Sequence, residues 1–361
     1  MLEKFRIEAP FALESGKQLP GVEIAYHTFG KLNAPADNVV WICHALTANS
    51  DVSDWWSGMV GRGKCFDPDK HFIVCANILG SCYGTTGPLS EDENGDTWYH
   101  RFPAVTIRDM VRAHIALRKH LGIEKINLLT GGSIGSFQAV EWAIMEPGLI
   151  DHLVMIAGGA QGTPWTAALN EAQRMAIRAD KTYFDASPEG GKEGMKAARA
   201  MALLSYRNAK AYNKTQPIAP DEDYRYLKAI TYQQYQGEKL ARRFDARSYF
   251  VLTRAFDSHH VGRGRGGLET ALALVRAKTL VVGIDTDILF PAEDQEIMVR
   301  HIPGARLQWL HSDFGHDGFL LEFDALSEMI GQFWINRGME KGKAMASHQP
   351  LAPETNNKQN R

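Results

Sequence analysis

Residues 126–142, INLLTGGSIGSFQAVEW, constrain the fold of this chain more than any other segment. An apolar run typical of a buried strand ends at two glycines, and a helical pattern begins directly after Ser133. Glycine adopts tight and left-handed backbone conformations at little cost, so these glycines predict a sharp turn from strand to helix. Such a turn projects the side chain of Ser133 from the end of the strand.

Apolar runs and helical patterns alternate over much of the chain. The segments NVVWIC at 38–43 and FIVCA at 72–76 are continuous apolar runs, which is typical of strands buried on both faces. Residues 106–122 carry apolar side chains at three- and four-residue spacing and end in glycine, which predicts an amphipathic helix. The alternation predicts an α/β fold with a mostly parallel sheet and helices on both faces.

The pattern changes between residues 163 and 276, where strand-like runs are few. The segment at 195–212, MKAARAMALLSYRNAKAY, is strongly helical by propensity, and the strand pattern resumes with TLVVG at 279–283. We interpret the interruption as a helical lid inserted into one α/β core. The predicted units are a core of residues 1–162 and 277–337, a lid of residues 163–276 and a disordered polar tail of residues 338–361.

Composition excludes several classes of protein. The 361 residues carry a net charge of −2, which gives no basic surface for nucleic acid or anionic membrane. The sequence has no uncharged apolar stretch of membrane-spanning length and no apolar segment typical of a signal peptide. Its four cysteines form no CxxC pair, so we expect free thiols rather than a zinc site. These features together predict a cytoplasmic protein.

A serine hydroxyl acts as a nucleophile only with a base, and the base needs an acid to orient it. In α/β hydrolases the three follow in the order serine, acid, histidine. His316 comes soon after the predicted strand at 306–310, at a carboxyl end where sites form in open sheets. The loop that follows the preceding predicted strand contains Asp285 and Asp287. We prefer Asp287 as the acid because it lies deeper in that loop; the alternative for Asp285 is a carboxylate that caps the loop. The alternative for Ser133 is a glycine-rich turn with an incidental serine.

An oxyanion hole requires two backbone donors. The N–H that follows the nucleophile, that of Ile134, is the first candidate. The N–H of Leu46, in the loop ICHALTANSD at 42–51, is the second. His44 in the same loop could be mistaken for a catalytic base, but its position favours a residue that orders the loop.

Six blocks, taken in order, resemble the homoserine O-acetyltransferase family, and the resemblance covers about residues 10–337. This family consists of acyltransferases of methionine biosynthesis with the α/β-hydrolase fold. The resemblance implies L-homoserine and acetyl-CoA as substrates, no permanently bound cofactor, a homodimer formed through the helical insertion, and the same three catalytic residues. The blocks are CHALTANSD, NILGSCYGTTGP, FPAVTIRDMVRAH, GGSIGSFQAVEWA, TDILFP and GHDGFLLE.

The resemblance also implies which residues bind the substrate. Arg199, seven residues before Tyr206 in ARAMALLSYR, is implied to bind the substrate carboxylate. Tyr206 is assigned to the same substrate-binding site. Asp317 is implied to hold the substrate ammonium, and the two charges suit a zwitterion. Without the resemblance, Arg199 would be interpreted as a solvated helix-face arginine. Asp317 can also serve as the N-cap of the last helix, predicted from about Gly318 to Asn336.

Three positions depart from the usual pattern of the family. Ile134 stands where the family usually has Met, Ser136 where it has Gly, and Gly318 where it has Ala. Ile134 still provides its backbone N–H, so the oxyanion hole is retained. Its branched side chain leaves the preference for the acyl donor open.

Several alternatives remain at this point. A serine O-acetyltransferase or a homoserine O-succinyltransferase would share these motifs, and one methylene changes binding by only about 1–3 kcal/mol. The other two alternatives are a serine carboxylesterase of the same fold and a non-catalytic binding protein. The GRGRGG stretch at 262–267 follows no strand and is interpreted as a flexible loop, with contact to coenzyme A phosphates as the weaker alternative.

Overall fold

The computed structural model describes residues 1–221 and 223–335, so the predicted tail lies outside the described residues. Eight strands form one sheet, and two short strands pair separately. The strands are β1 (Leu2–Ile7), β2 (Phe11–Ala12), β3 (Gln18–Leu19), β4 (Val22–Phe29), β5 (Val39–Cys43), β6 (Phe72–Ala76), β7 (Ile126–Gly132), β8 (Ile150–Ile156), β9 (Lys278–Ile284) and β10 (Arg306–Leu310).

The sheet has the order β1-β4-β6-β5-β7-β8-β9-β10. Strand β4 pairs antiparallel with both β1 and β6, and the remaining pairs are parallel. Parallel strands require crossover connections, and helices supply them on both faces. The predicted α/β fold with a mostly parallel sheet is confirmed.

Between β8 and β9 the described elements are all helical, namely α4 to α9 and a short 3₁₀ helix at Tyr224–Tyr226. No helix formed by the described residues is long and apolar enough to cross a membrane. The helices are α1 (Val52–Trp55), α2 (Ile107–His120), α3 (Ile134–Met145), α4 (Pro164–Ala179), α5 (Lys192–Tyr206), α6 (Ala209–Thr215), α7 (Lys228–Ala241), α8 (Ala246–Asp257), α9 (Leu268–Leu272), α10 (Ala292–His301) and α11 (Phe323–Ile335).

Strand β5 shows how the sheet is buried on both faces. Val39, Trp41 and Cys43 belong to the core on the side of α2 and α3, and the Trp41 ring meets the Trp142 ring edge-on at 4.9 Å. The two side chains between them, at positions 40 and 42, belong to the core on the other face of the sheet, together with side chains of α1 and α11. The continuous apolar run therefore predicts a central strand correctly, since no face of it reaches solvent.

The last helix begins later than the sequence pattern indicates. Residues Gly315–Leu320 form a short 3₁₀ turn, and α11 starts only at Phe323. Asp317 lies inside the 3₁₀ turn, so the interpretation of Asp317 as the N-cap of the last helix is wrong. The turn ends at Leu321, whose φ and ψ of −132° and −38° lie outside the helical region and separate the turn from α11.

A buried network of ion pairs joins α2 and α3 to the GRGRGG loop. Glu141 on α3 is fully buried and accepts hydrogen bonds from Arg108 and Arg265, each at 3.0 Å. Arg108 and Arg263 also pair with Glu14, at 2.9 and 3.0 Å. Both arginines of the loop are therefore bound to carboxylates, which pins the loop and leaves little support for a contact with coenzyme A phosphates.

We expect Glu141→Gln to lower the free energy of unfolding by about 3 kcal/mol, because the change leaves the charge of Arg265 without its carboxylate partner, while Arg108 keeps Glu14. Glu189→Gln is the matched control: Glu189 is exposed and pairs with Lys192 on the surface, so its loss should change stability by less than about 1 kcal/mol. Denaturant unfolding of both variants measures the difference. Equal midpoints would contradict the assignment of a stabilising network.

Candidate active site

Ser133 occupies a strained turn between β7 and α3. Its φ and ψ are 59° and −127°, a region that residues other than glycine rarely adopt. Its N–H donates to the Ile156 carbonyl at 3.0 Å, which anchors the turn to β8. A Cβ added to Gly135 would lie 2.2 Å from the Cys43 carbonyl oxygen, so a side chain there does not fit. The glycines thus form the sharp turn that the sequence predicts.

His316 is oriented by Asp287. His316 Nδ1 lies 2.7 Å from Asp287 Oδ2, and both side chains are buried. Asp287 Oδ1 accepts hydrogen bonds from the backbone N–H groups of Leu289 and Phe290 at 2.7 and 3.0 Å. The carboxylate is held from both sides, so Nδ1 carries the proton and Nε2 is left to act as the base.

Asp285, the other carboxylate in that loop, has different partners. Its Oδ2 lies 2.8 Å from Nδ1 of the exposed His311, and its Oδ1 accepts from the Ser312 N–H at 3.1 Å. Of the two aspartates, only Asp287 contacts His316 among the described residues. The local geometry therefore separates two carboxylates that the sequence alone could not.

One cavity of about 370 Å³ is lined by six of the predicted site residues, whereas Asp287 and Ile134 are not among the residues that line it. Helices α5 and α7 provide part of its wall, so the segment between β8 and β9 contributes directly to the site. The described residues contain no group of three His, Cys, Asp or Glu side chains suited to a metal ion. The lining includes Leu46, Ser133, Arg199, Tyr206, His316 and Asp317, together with Asp54, Trp55, Lys239 and Arg243, which sequence reasoning missed.

Ser133 and His316 both line this cavity, but no hydrogen bond joins their side chains in the described part of the chain. Catalytic hydrogen bonds of this kind often form fully only in the complex with substrate. The placement brings nucleophile and base to one wall of the cavity, with Asp287 behind the base.

The two predicted oxyanion donors are both available. Within residues 1–221 and 223–335, neither the Leu46 N–H nor the Ile134 N–H donates to a protein acceptor. Ile134 is the first residue of α3, where an N–H has no partner inside the helix, and Leu46 lines the cavity. This arrangement leaves two N–H groups for a developing negative charge.

His44 is occupied at both ring nitrogens. Nδ1 donates to the Ala45 carbonyl at 2.8 Å, and Nε2 accepts from the Ile78 N–H at 3.1 Å. Burial lowers the pKa of His44 to about 4, so the ring is neutral near pH 7. His44 joins the loops that follow β5 and β6 and has no nitrogen left to act as a base.

The fold should lose stability in mild acid because burial lowers the pKa of three histidines, His44, His114 and His259. Burial lowers the pKa of His44 to about 4 and that of His114 to about 3, below the value of about 6.5 expected in the unfolded chain. As the pH falls below about 6.5, the unfolded state binds these protons and the folded state does not, so stability falls. The expected loss by pH 5 is about 2 kcal/mol for each histidine.

Urea unfolding between pH 7.5 and pH 5 measures this dependence. His114→Leu should remove the contribution of His114, about 2 kcal/mol by pH 5, and so make the pH slope shallower. Replacement of the exposed His120 by Gln is the control and should leave the slope unchanged. A wild-type stability that is flat over this range would contradict the prediction.

Arg199 offers a positive charge to the cavity. Its guanidinium carbon lies 5.6 Å from the Tyr206 ring centroid, and in the described ranges it pairs with no carboxylate. Burial raises the pKa of Tyr206, whose ring centroid lies 5.7 Å from that of His316. An unpaired guanidinium in the same cavity as the base is suited to bind a carboxylate of a substrate.

Asp317 is not free, which sequence reasoning did not anticipate. Arg207 Nε donates to Asp317 Oδ2 at 3.0 Å, and Arg207 Nη1 donates to the Tyr232 hydroxyl. The only sequence signal was that Arg207 directly follows Tyr206 in the segment LLSYRN. An aspartate 110 positions away could not be assigned to it from the sequence.

Comparisons with known proteins show which family this chain resembles. A family model described as alpha/beta hydrolase fold matches residues 38–323. A homoserine O-acetyltransferase of Cyclobacterium marinum is 43% identical over 336 residues, covering 92% of this chain and 95% of the relative. One of Chlorobaculum tepidum is 43% identical over 333 residues, covering 91% and 93% of the two chains.

Solved structures show the same likeness. The homoserine O-acetyltransferase of Bacillus anthracis superposes with a TM-score of 0.86 at 25% identity, covering 92% of this chain and 97% of that one. Esterase E22 superposes with a TM-score of 0.83 at 26% identity, covering 92% of this chain and 100% of the other. The architecture is thus compatible with both acyl transfer and ester hydrolysis.

Proposed function

This chain belongs to the homoserine O-acetyltransferase family of α/β-hydrolase-fold proteins, and from that membership we propose that it transfers the acetyl group of acetyl-CoA to L-homoserine, a step of methionine biosynthesis. One observation carries the proposal beyond the family: a single cavity is lined by Ser133, His316, an unpaired guanidinium on Arg199 and the carboxylate of Asp317. Those groups match a nucleophile, its base and the two charges of a zwitterionic acceptor.

In the first half-reaction, His316 Nε2 removes the proton of the Ser133 hydroxyl, and the oxygen attacks the thioester carbonyl of acetyl-CoA. The N–H groups of Leu46 and Ile134 stabilise the tetrahedral oxyanion, and Asp287 stabilises the positive ring of His316. The carbon–sulfur bond breaks, His316 gives its proton to the sulfur, and coenzyme A leaves. The product of this step is an acetyl ester on Ser133.

In the second half-reaction, L-homoserine supplies the attacking hydroxyl. Arg199 binds its carboxylate and Asp317 binds its ammonium, with Tyr206 beside Arg199, so that the hydroxyl faces the acyl group. His316 takes the hydroxyl proton, the acetyl group moves to homoserine, and the proton returns to the Ser133 oxygen. Neither step needs a permanently bound cofactor.

Water must be kept from the acetyl ester, because hydrolysis and transfer share the same intermediate. Helix α5 provides Arg199 and Tyr206 to the cavity wall, and Lys239 lies on α7. We assign this covering role to the helical lid of residues 163–276, inserted into the core of residues 1–162 and 277–337. A carboxylesterase is the second candidate, favoured by the likeness to esterase E22.

Steady-state rates with two donors and two acceptors test the proposal. Acetyl-CoA with L-homoserine should turn over fastest when compared with succinyl-CoA as donor and L-serine as acceptor. Arg199→Gln should raise KM for homoserine and leave hydrolysis of p-nitrophenyl acetate unchanged, since that ester has no carboxylate for Arg199 to bind. Fast ester hydrolysis that homoserine does not affect would establish the esterase instead.

We also propose that two copies associate through the lid. Met201 and Leu204 on α5 and Ile230 and Tyr235 on α7 are large apolar side chains with 42–58% of their surface exposed. Leu204→Glu should shift the protein towards monomer in sedimentation experiments. Leu321→Glu, at an exposed leucine outside the lid, is the control. A wild-type monomer at micromolar concentration would refute the dimer.

The proposed location is the cytoplasm. The four cysteines, Cys43, Cys65, Cys75 and Cys82, are all free thiols, and reduced thiols persist in a reducing compartment. Burial raises the pKa of the Cys65 thiol to about 12, so it carries almost no thiolate at neutral pH.

A further inference from the structure

The end of helix α5 packs directly on the turn that carries the base. A Cβ added to Gly315 would lie 3.1 Å from the Tyr206 carbonyl oxygen and 3.3 Å from Arg207 Cα. The Tyr206 and His316 rings are also neighbours, with centroids 5.7 Å apart. The backbone of residues 206–207 therefore has a fixed position relative to the 3₁₀ turn of residues 315–320.

Arg207 uses this position to bind two groups at once. Its Nε donates to Asp317 Oδ2 at 3.0 Å, and its Nη1 donates to the hydroxyl of Tyr232 on α7. About 23% of the Arg207 side chain and 14% of the Asp317 side chain is exposed, so the pair is partly shielded from water. A planar guanidinium held at two points fixes the orientation of the carboxylate that it binds.

The other oxygen of Asp317 is left available. In the part of the chain that the structure describes, Oδ1 accepts no hydrogen bond, and Asp317 lines the cavity that contains Ser133. Arg199 lines the same cavity, and within the described residues no ion pair joins it to Asp317. The ion pair with Arg207 therefore occupies one oxygen of Asp317 and leaves the other available to a ligand.

We propose that Arg207 is a positioning residue that holds one oxygen of Asp317 and thereby aims the other at the substrate ammonium. The inference rests on the proposed function, because it assumes an acceptor with an ammonium group. Arg207 acts only through Asp317, so it affects the second half-reaction and not the formation of the acetyl ester on Ser133.

The test separates the two half-reactions. Arg207→Gln should raise KM for L-homoserine about tenfold to a hundredfold, the range for losing a hydrogen bond to a charged group. The burst of coenzyme A released from acetyl-CoA alone should keep its rate and amplitude. Arg225→Gln is the matched control, because Arg225 pairs with Asp223 on the exposed surface of the lid. An unchanged or lower KM for homoserine in Arg207→Gln would overturn the proposal.

A double-mutant cycle tests whether Arg207 acts through Asp317. In an Asp317→Asn background, Arg207→Gln should raise KM by less than about twofold further, since the two changes remove one function. The preference for homoserine over 4-hydroxybutanoate, which lacks the amine, should fall in both single variants. Independent, multiplicative effects on KM, or a loss of the coenzyme A burst, would show that Arg207 is instead a general structural contact.

A second variant covers the case in which Arg207→Gln does not fold. Arg207→Lys keeps the positive charge but lacks the planar guanidinium, so it should give an intermediate rise in KM for homoserine with a normal burst of coenzyme A. A wild-type KM in Arg207→Lys would overturn the orienting role. Failure of the proposed function has a different signature, since the wild-type protein itself would then show no acetyl transfer to homoserine.

Discussion

Replacing Ser133 by alanine is expected to lower kcat/KM for acetyl transfer by about four to six orders of magnitude, the loss seen when a triad nucleophile is removed. The remaining base and oxyanion donors cannot form the acetyl ester, so the burst of coenzyme A should disappear with the steady-state rate. Stopped-flow detection of free coenzyme A measures both. Fold stability should change little, because the Ser133 side chain makes no hydrogen bond with another described residue that would be lost.

Ser136→Ala is the matched control for that experiment. Ser136 lies one helical turn away on α3, is fully buried, and its hydroxyl has no hydrogen-bond partner among the described residues. A buried hydroxyl without a partner adds nothing to stability, so its removal should leave both folding and activity near wild type. Activity that survives Ser133→Ala, or equal losses in the two variants, would contradict the assignment of Ser133 as nucleophile.

Asp287→Asn is expected to lower kcat by about 10⁴-fold with the fold intact. The asparagine oxygen would still accept the N–H groups of Leu289 and Phe290, which now donate to Asp287 Oδ1. Its amide would then donate to His316 Nδ1 and place the ring proton on Nε2. A ring protonated at Nε2 cannot accept the serine proton, so the base is lost.

Asp285→Asn provides the comparison within the same loop. Asp285 binds the exposed His311 and the Ser312 N–H, and neither touches the cavity. Its replacement should reduce kcat by less than about tenfold, through small shifts of the loop alone. Steady-state rates with saturating acetyl-CoA and homoserine decide between the two aspartates, and a larger loss in Asp285→Asn would show that the acid is wrongly assigned.

Local features of the sequence predicted the local features of the structure. The turn at Ser133 needs only its own glycines, and the burial of β5 follows from its own five apolar residues. The positions of Asp287 and His316 follow from one rule of topology, since both lie in loops that follow neighbouring parallel strands. Such features depend on few residues close together in the chain.

Contacts between distant residues could not be predicted. Arg207 binds an aspartate 110 positions away, and Arg263 binds Glu14 across 249 positions. A charged residue on a helix face or in a glycine-rich loop looks the same in the sequence whether it is solvated or paired. The sequence pattern places the start of α11 too early, because the non-helical backbone of Leu321 separates a 3₁₀ turn from the helix.

The acetyl ester on Ser133 is the most direct test of the proposed mechanism. The protein would be mixed with acetyl-CoA in the absence of acceptor, quenched, digested and mapped by mass spectrometry, with a parallel sample chased with L-homoserine. We expect one acetyl group, on the peptide that carries Ser133, and its discharge to O-acetylhomoserine at a rate no slower than kcat. An unmodified Ser133, or an ester that decays to acetate at the same rate with and without homoserine, would contradict the account.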